Sequence, residues 1–374
     1  MTTSGPTKSA QLFTESFSTL QDPRRITKGN IRYSLDELLF VTITGVICGY
    51  KEWEEIAEYG ELKIDWFRKF YSYKKMPSHD VLGRLFQALD PKVFSECFIN
   101  WVSSIATKTA TDVVAIDGKT IRGAASKGNK FPLHIVTAFC TKNRLTLGQQ
   151  SVIEKSNELT AIPALLDLLN LDGCTVTIDA IACQQNIAEK IIDKNADYIL
   201  QVKNNQQYLK DNIEDFFNSK MERTIDQTLT QGHGRIEKRR CEVISNLDDF
   251  TGLENWKKLQ SIVRIYSERT IKNTGEKSTE FRYYITSIKD NPKRLNEAIR
   301  SHWGIENNLH WNLDVIFKED GQLKRAGNAA ENFNIVNKAA LGLLDNEKST
   351  KHFKPMKRMK ASHSDEYREL ILKV

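Results

Sequence analysis

The strongest constraint on how this chain can fold is a pair of short apolar runs that each stop at an aspartate. Val113-Val114-Ala115-Ile116 runs into Asp117-Gly118-Lys119, and Thr175-Val176-Thr177-Ile178 runs into Asp179. Each pattern predicts a buried strand with an acid at its C-terminal end. The runs at 133–140 and 145–152 read as two further strands, with Asn143 in the turn between them. A helix is expected over about 161–169, where Pro163 falls in the tolerant first turn. A second helix is expected over 186–193, and a fifth strand over 198–202 ends at Lys203. The order is β-β-β-α-β-α-β, with acids at the ends of strands one and four. It predicts an α/β core built on a mixed five-stranded sheet with flanking helices.

The flanking segments have different characters. Residues 1–110 read as an N-terminal helical domain, expected to bind DNA. Asp22-Pro23-Arg24-Arg25 marks a turn with basic neighbours. Helices are predicted over 34–50, 52–70, from Ser78 to the Asp90-Pro91 stop, and over 92–105, the last with Val102 among its apolar positions. Ser34 followed by Glu37 has capping-box spacing. Residues 111–205 form the first part of the core. Residues 206–290 carry strand-like runs at 235–243, 261–269 and 281–288, with turns at Gly232-His233-Gly234 and Asn273-Thr274-Gly275. They read as a β-rich insertion. Residues 291–345 hold the second part of the core. There Asn291 caps a helix that starts at Pro292 and carries an apolar stripe of Leu295, Ile299, Trp303, Leu309 and Leu313. Glu306 lies two helical turns from both Ile299 and Leu313, so a carboxylate is expected to interrupt the core-facing side. A last helix is expected over 330–344. The remainder, 346–374, reads as a basic tail, solvated or in contact with DNA.

Composition sets the class. The 374 residues are 40% hydrophobic and 27% charged, which excludes a disordered chain or a rod. A formal charge of +6 permits nucleic acid as a partner without demanding it. The six cysteines show no CxxC pair and no zinc-like spacing with histidine, so they read as reduced core thiols. The most apolar stretch, 38–46, is about half the ~20 residues of a membrane span. With no apolar leader at the N-terminus, a cytoplasmic, nucleoid-associated protein is expected, with no membrane partner.

The acids carry the chemistry. A carboxylate at the end of a buried strand is costly to desolvate, and two on neighbouring strands repel. A divalent cation removes both problems, because carboxylate oxygens are natural ligands for Mg²⁺ or Mn²⁺. Glu306 could complete such a site from the side. Two ions there would activate a water or a 3′-hydroxyl and stabilise the leaving oxygen of a phosphodiester. Taken singly, each acid has a plainer reading. Asp117 before Gly118 reads as a turn residue, Asp179 as a helix cap, and Glu306 as an ion-pair partner of Arg300 or Lys324. Together with the strand order they match the ribonuclease-H-like fold, which puts metal-binding acids at the ends of strands one and four.

The motifs also resemble a known family. Ala115-Ile116-Asp117-Gly118-Lys119-Thr120-Ile121-Arg122-Gly123 is similar to the first-aspartate block of the H-repeat-associated insertion-sequence transposases of the DDE superfamily. Lys155-Ser156-Asn157-Glu158-Leu159-Thr160 resembles the next block, and Ile178-Asp179-Ala180-Ile181-Ala182-Cys183-Gln184 the second-aspartate block. Gly232-His233-Gly234-Arg235 resembles a block inside the insertion, and His302-Trp303-Gly304-Ile305-Glu306-Asn307 with Leu309-His310-Trp311 the glutamate block. The resemblance spans roughly residues 10–345. The broader DDE group carries Tyr and Arg before the glutamate and Lys after it, whereas Ile299, His302 and Leu313 stand there in this chain.

The resemblance implies a DDE transposase that cuts DNA and transfers strands with Mg²⁺ or Mn²⁺, using two ions. It implies Asp117, Asp179 and Glu306 as catalytic metal ligands. Lys119, Arg122, Lys203 and Arg235 would face phosphates, and His302, Trp303 and His310 would hold DNA ends or orient the acid. Partners would be double-stranded DNA, both transposon ends and target, and a second copy of the chain in the DNA complex. Two other readings stay open: a ribonuclease-H-like nuclease that cuts without transposing, and an inactive remnant that binds DNA.

Overall fold

The protein is described here by a computed structural model. It covers residues 15–24, 31–105, 112–124, 133–152, 158–219, 221–232, 234–248, 250–253 and 255–373. Arg25, Lys155-Ser156-Asn157 and His233 lie outside these residues, as does the side chain of Val102.

The N-terminal part is helical: α1 (Leu35–Ile47), α2 (Trp53–Leu62), α3 (Ile64–Phe67), α4 (His79–Ala88) and α5 (Pro91–Ile105). Ser34 caps α1 in a full capping box with Glu37. α1 is buried all round from Leu38 to Ile47, as a helix apolar on every side must be. The single helix expected over 52–70 is broken at Lys63, which leaves the helical conformation between α2 and α3.

The core follows with β1 (Val113–Ile121), β2 (Leu133–Cys140), β3 (Leu145–Val152), α6 (Glu158–Leu168), β4 (Thr175–Ile178), α7 (Gln185–Asp193) and β5 (Asp197–Val202). β1, β2 and β3 pair antiparallel, while β4 and β5 run parallel to β1. The expected order is therefore present, as an α/β core of ribonuclease-H-like type. Alternate strand residues divide between two faces, as period-two geometry requires. Val114, Ile116, Val136, Val176 and Leu200 pack with α6 and α7, whereas Ala115 and Ile199 belong to clusters on the opposite face.

Next come α8 (Gln207–Asn218), β6 (Thr224–Gly232), β7 (Arg235–Ile244), β8 (Ser261–Ile271) and β9 (Lys277–Thr286). β9 pairs with β5, so these strands extend the same sheet to nine, in the order β3-β2-β1-β4-β5-β9-β8-β7-β6. Positive φ angles at Gly234 (74°) and Gly275 (71°) close the two expected hairpins. β6 escapes the sequence reading because it is an edge strand exposed along most of its length.

The chain returns through α9 (Pro292–His302), a π-helical turn (Ile305–His310), α10 (Trp311–Val315) and α11 (Ala329–Asn346). The basic stretch expected to be solvated instead folds as α12 (Lys354–His363) and α13 (Asp365–Leu372). Ala361, Tyr367, Ile371 and Leu372 join a core shared by the N-terminal helices, the π turn, α10 and α11. On α12 Lys357 and Arg358 are buried, their charged ends donating to the backbone carbonyls of Leu344, Glu347, Ile316 and Val46, while Lys360 is exposed. All six cysteines are buried and unbridged. No helix among the described residues is long and apolar enough to cross a membrane.

Candidate active site

β1 and β4 pair in parallel from Val113 and Thr175 as far as Ile116 and Ile178. The next residue on each strand is an aspartate, so Asp117 and Asp179 leave the pairing at one end of the sheet in matched register. β1 continues on its other edge, where Asp117 lies opposite Thr137 and Gly118 opposite Val136 of β2. Asp117-Gly118 is therefore strand and not turn. Asp179 does cap a short helical turn, Ala180–Ala182, by accepting from the Ala180 N–H. Its Oδ1 also lies 3.4 Å from Lys203 Nζ.

Glu306 arrives from α9, whose start is fixed by the Asn291 side chain accepting from the Arg294 N–H at 3.0 Å. Regular helix would put Glu306 in line with Ile299 and Leu313, which are both buried. The π turn, closed by the Trp311 N–H on the Glu306 carbonyl, breaks that register. Ile305, Leu309 and Leu313 make the buried line, and Glu306 is exposed. Trp303 also leaves the expected apolar stripe and is 39% exposed. The plainer ion-pair reading finds no support in the two proposed cations. Arg300 pairs with Glu237 at 3.1 Å, and Lys324 with Glu52 at 3.1 Å.

The acids influence one another electrostatically. Burial pushes the Asp117 carboxyl up to about 7; the Gly118 N–H opposes this, while the charges of Glu306, Asp179 and Glu158 reinforce it. His310 Nδ1 stands 3.5 Å from Asp117 Oδ2. Burial holds that imidazole down at about 3, with Lys338 and Lys119 adding to the effect, so it is neutral beside the acid. His310 Nε2 is buried with no hydrogen-bond partner. His302 Nδ1 lies 2.9 Å from Thr177 Oγ1, and burial lowers the pKa of His302 as well. A cleft of about 220 Å³ has Asp179, Glu306, Lys203, Arg282, His302 and Trp303 in its wall. The Arg282 guanidinium stacks 5.0 Å from the Trp303 ring centre.

The other candidate residues are dispersed. Lys119 Nζ is enclosed by Asp314 at 2.8 Å and by Glu319 and Asp320 at 3.5 Å, so its charge is engaged inside the protein. The Arg122 side chain is 85% exposed, and its backbone N–H donates to Asp320. Arg235 opens β7 and lines a separate groove of about 900 Å³ with Arg269, Arg282 and Arg300. Among the described residues, no three side chains of His, Cys, Asp or Glu stand together closely enough to hold a metal ion.

Two buried polar groups beside Asp117 were not anticipated. His134 Nε2 and Glu158 Oε1 lie 2.6 Å apart, with His134 Nδ1 2.8 Å from Thr120 Oγ1. A Cβ at Gly118 would meet both partners at 2.5 Å, so a larger residue there would have to displace the pair. Lys338 Nζ donates to Thr137 Oγ1 and Gln149 Oε1, each at 2.8 Å. The available signals were His134 inside an apolar strand and Lys338 inside an apolar helix.

The chain is similar in sequence to known transposases. The family described as Transposase DDE domain matches residues 108–343, and the DDE_Tnp_1-associated family matches residues 14–102. "Putative transposase YncI" of Escherichia coli O157:H7 is 39% identical over 377 residues, covering 97% of this chain and 95% of that protein. "H repeat-associated putative transposase YhhI" of Escherichia coli K12 is 37% identical over 369 residues, covering 96% and 97% respectively. A cryo-EM structure of the piggyBac transposase synaptic complex with hairpin DNA aligns with a TM-score of 0.46 at 12% identity, over 100% of this chain and 84% of that one.

Proposed function

Because the chain belongs to the DDE transposase family, in its H-repeat-associated group, we propose that it cleaves DNA at the ends of an insertion sequence and joins the freed strand to a target. The observation that carries the reading is the matched register of Asp117 and Asp179, together with the electrostatic influence of Glu306 on Asp117. Carboxylates fit a hard divalent cation in donor chemistry, and the burial that raises Asp117, with the like charges that add to it, is what such a cation would relieve.

In this proposal Asp117, Asp179 and Glu306 hold Mg²⁺ or Mn²⁺. When bound, two ions supply an activated water or 3′-hydroxyl and neutralise the leaving oxygen. The protein's own groups do the rest. Neutral His310 packs against Asp117 and orients its carboxylate. His302, held by Thr177, fixes the α9 end of the cleft. Lys203 and Arg282 face a phosphate there, and Trp303 offers an aromatic surface to the DNA end. Arg122 and Arg235 extend the phosphate contacts outward. Lys119 braces β1 against the segment 314–320. The helices of 31–105 would contribute further DNA contacts, and pairing two DNA ends would bring two copies of the chain together.

A second reading, an inactive DNA-binding remnant, is favoured by one observation: the described His, Cys, Asp and Glu residues do not already form a three-ligand cluster. Incubation with DNA flanking the chain's own gene plus Mn²⁺ separates the two. Strand nicks at defined ends that disappear in Asp117→Asn, Asp179→Asn and Glu306→Gln are expected. DNA binding without any nicking would leave only the remnant. Transfer of the nicked strand into a second duplex distinguishes a transposase from a simple nuclease.

A further inference from the structure

A groove of about 1040 Å³ runs between the π turn, α10, the end of α11 and α12. Its lining carries six lysines and arginines against two acids, Asp345 and Glu347. Both acids are already engaged: Asp345 by Lys354 at 3.0 Å and Arg144 at 3.6 Å, Glu347 by Lys357 at 3.4 Å. Lys348 and Lys351, both exposed, leave the groove strongly cationic. Large aromatic side chains stand open among these charges. Trp311 is 54% exposed and Phe353 is 67% exposed.

Two aromatic faces set among lysines suit unstacked bases on a phosphate backbone. A second copy of this chain would bring a net positive protein against a positive groove, so charge complementarity favours nucleic acid. The groove also shares Asn307 and Asn308 with the arginine-lined groove on the other side of the π turn. That arginine-lined groove in turn shares Arg282 and Trp303 with the cleft that Glu306 lines, so the three form a continuous run past the π turn.

We infer that this groove binds a single-stranded stretch of DNA next to the cleavage site, with Trp311 and Phe353 stacking on bases and Lys348 and Lys351 contacting phosphates. The inference rests on the DNA-processing reading. It gives the basic C-terminal segment a task that the three acids do not explain.

Fluorescence anisotropy of full-length protein with a labelled oligothymidine strand, and in parallel with a blunt duplex, tests it over a range of salt. Trp311→Ala and Phe353→Ala should each weaken oligothymidine binding about tenfold while duplex affinity stays at the parent value. The double variant Lys348→Gln/Lys351→Gln should flatten the logarithmic salt slope for the single strand by about 1.4. All four side chains are exposed or half-buried, and unchanged circular dichroism and melting would establish that the variants fold. Unaltered single-strand binding and slope in every variant, with duplex binding intact, would overturn the groove assignment and leave the transposase reading standing. A parent that sediments as a dimer, and variants that become monomeric with normal single-strand binding, would overturn it in favour of a copy-to-copy interface. Failure of the parent to bind either DNA would remove the transposase reading and the inference with it.

Discussion

Ile116 and Ile178 are the last parallel partners of β1 and β4, and each is followed by an aspartate. That register brings two carboxylates to one end of the sheet. The Asp117 carboxyl is raised to about 7 by burial, with Glu306, Asp179 and Glu158 adding to it against the Gly118 N–H. If the acids form a cation site, as proposed, a divalent ion should stabilise the fold. At one hundred times its dissociation constant, Mn²⁺ is expected to add about 2.7 kcal/mol. Thermal melts with and without the ion check this. EDTA should reverse the shift, and Asp117→Asn or Glu306→Gln should abolish most of it. An equal shift in parent and variants would mean that the ion binds elsewhere.

Gly118 is fixed by its neighbours and not by its backbone angles. A methyl group there would meet Glu158 Oε1 and His134 Nε2 at 2.5 Å, and both partners are buried. Gly118→Ala should therefore lower the urea-denaturation free energy by about 1–3 kcal/mol, as overpacking does. Gly321→Ala is the control, since nothing lies within 4 Å of a Cβ built there. Equal stability of the two variants would contradict the close packing of the His134–Glu158 pair under β1.

The sheet centre was legible in the sequence because its strands are buried, and burial writes apolar runs. β6 left no such run, since Ile225 and Leu229 are themselves exposed. α8 did leave a signal, with Leu209, Ile213 and Phe217 at helical spacing, and it was missed among neighbouring polar residues. Asp117 and Asp179 could be read as strand-end acids, but the orientation of Glu306 could not. Its spacing from Ile299 and Leu313 presumes regular helix, and the π turn changes the phase without altering the composition. The enclosure of Lys119 was equally hidden, because Asp314, Glu319 and Asp320 meet it only through the tertiary fold.

The C-terminal segment provides another test. Arg368 is fully buried, with its guanidinium 4.0 Å from the Trp66 ring centre, and Ile371 and Leu372 lie in the same core. A chain ending at Lys348 would expose this face of the N-terminal helices. It should accumulate in the insoluble fraction, whereas a dispensable tail would leave yield and melting temperature unchanged. The milder change Arg368→Ala should destabilise by at least about 2 kcal/mol, through loss of a desolvated cation–π contact and its hydrogen bonds.

Lys338 predicts a pH dependence. Its ammonium is buried on α11, and burial lowers its pKa to about 7, with Lys119 adding to the effect against Glu319 and Glu331. The unfolded chain keeps this proton until roughly pH 10.4. Between the two values the unfolded state binds more protons than the folded state, so stability rises with pH, by at most about 1.4 kcal/mol per unit. Below about pH 7 both states hold the proton and this contribution to the slope vanishes. Lys338→Met should lower absolute stability, because Thr137 and Gln149 lose their donor. It should also remove the lysine's share of the alkaline rise. Urea denaturation of parent and variant at roughly pH 7, 8 and 9 measures the difference in slope. Parallel slopes would show that Lys338 stays charged in the fold. In that case Thr137 Oγ1 and Gln149 Oε1 would be holding an ammonium by accepting from it beneath β2, where Thr137 lies opposite Asp117.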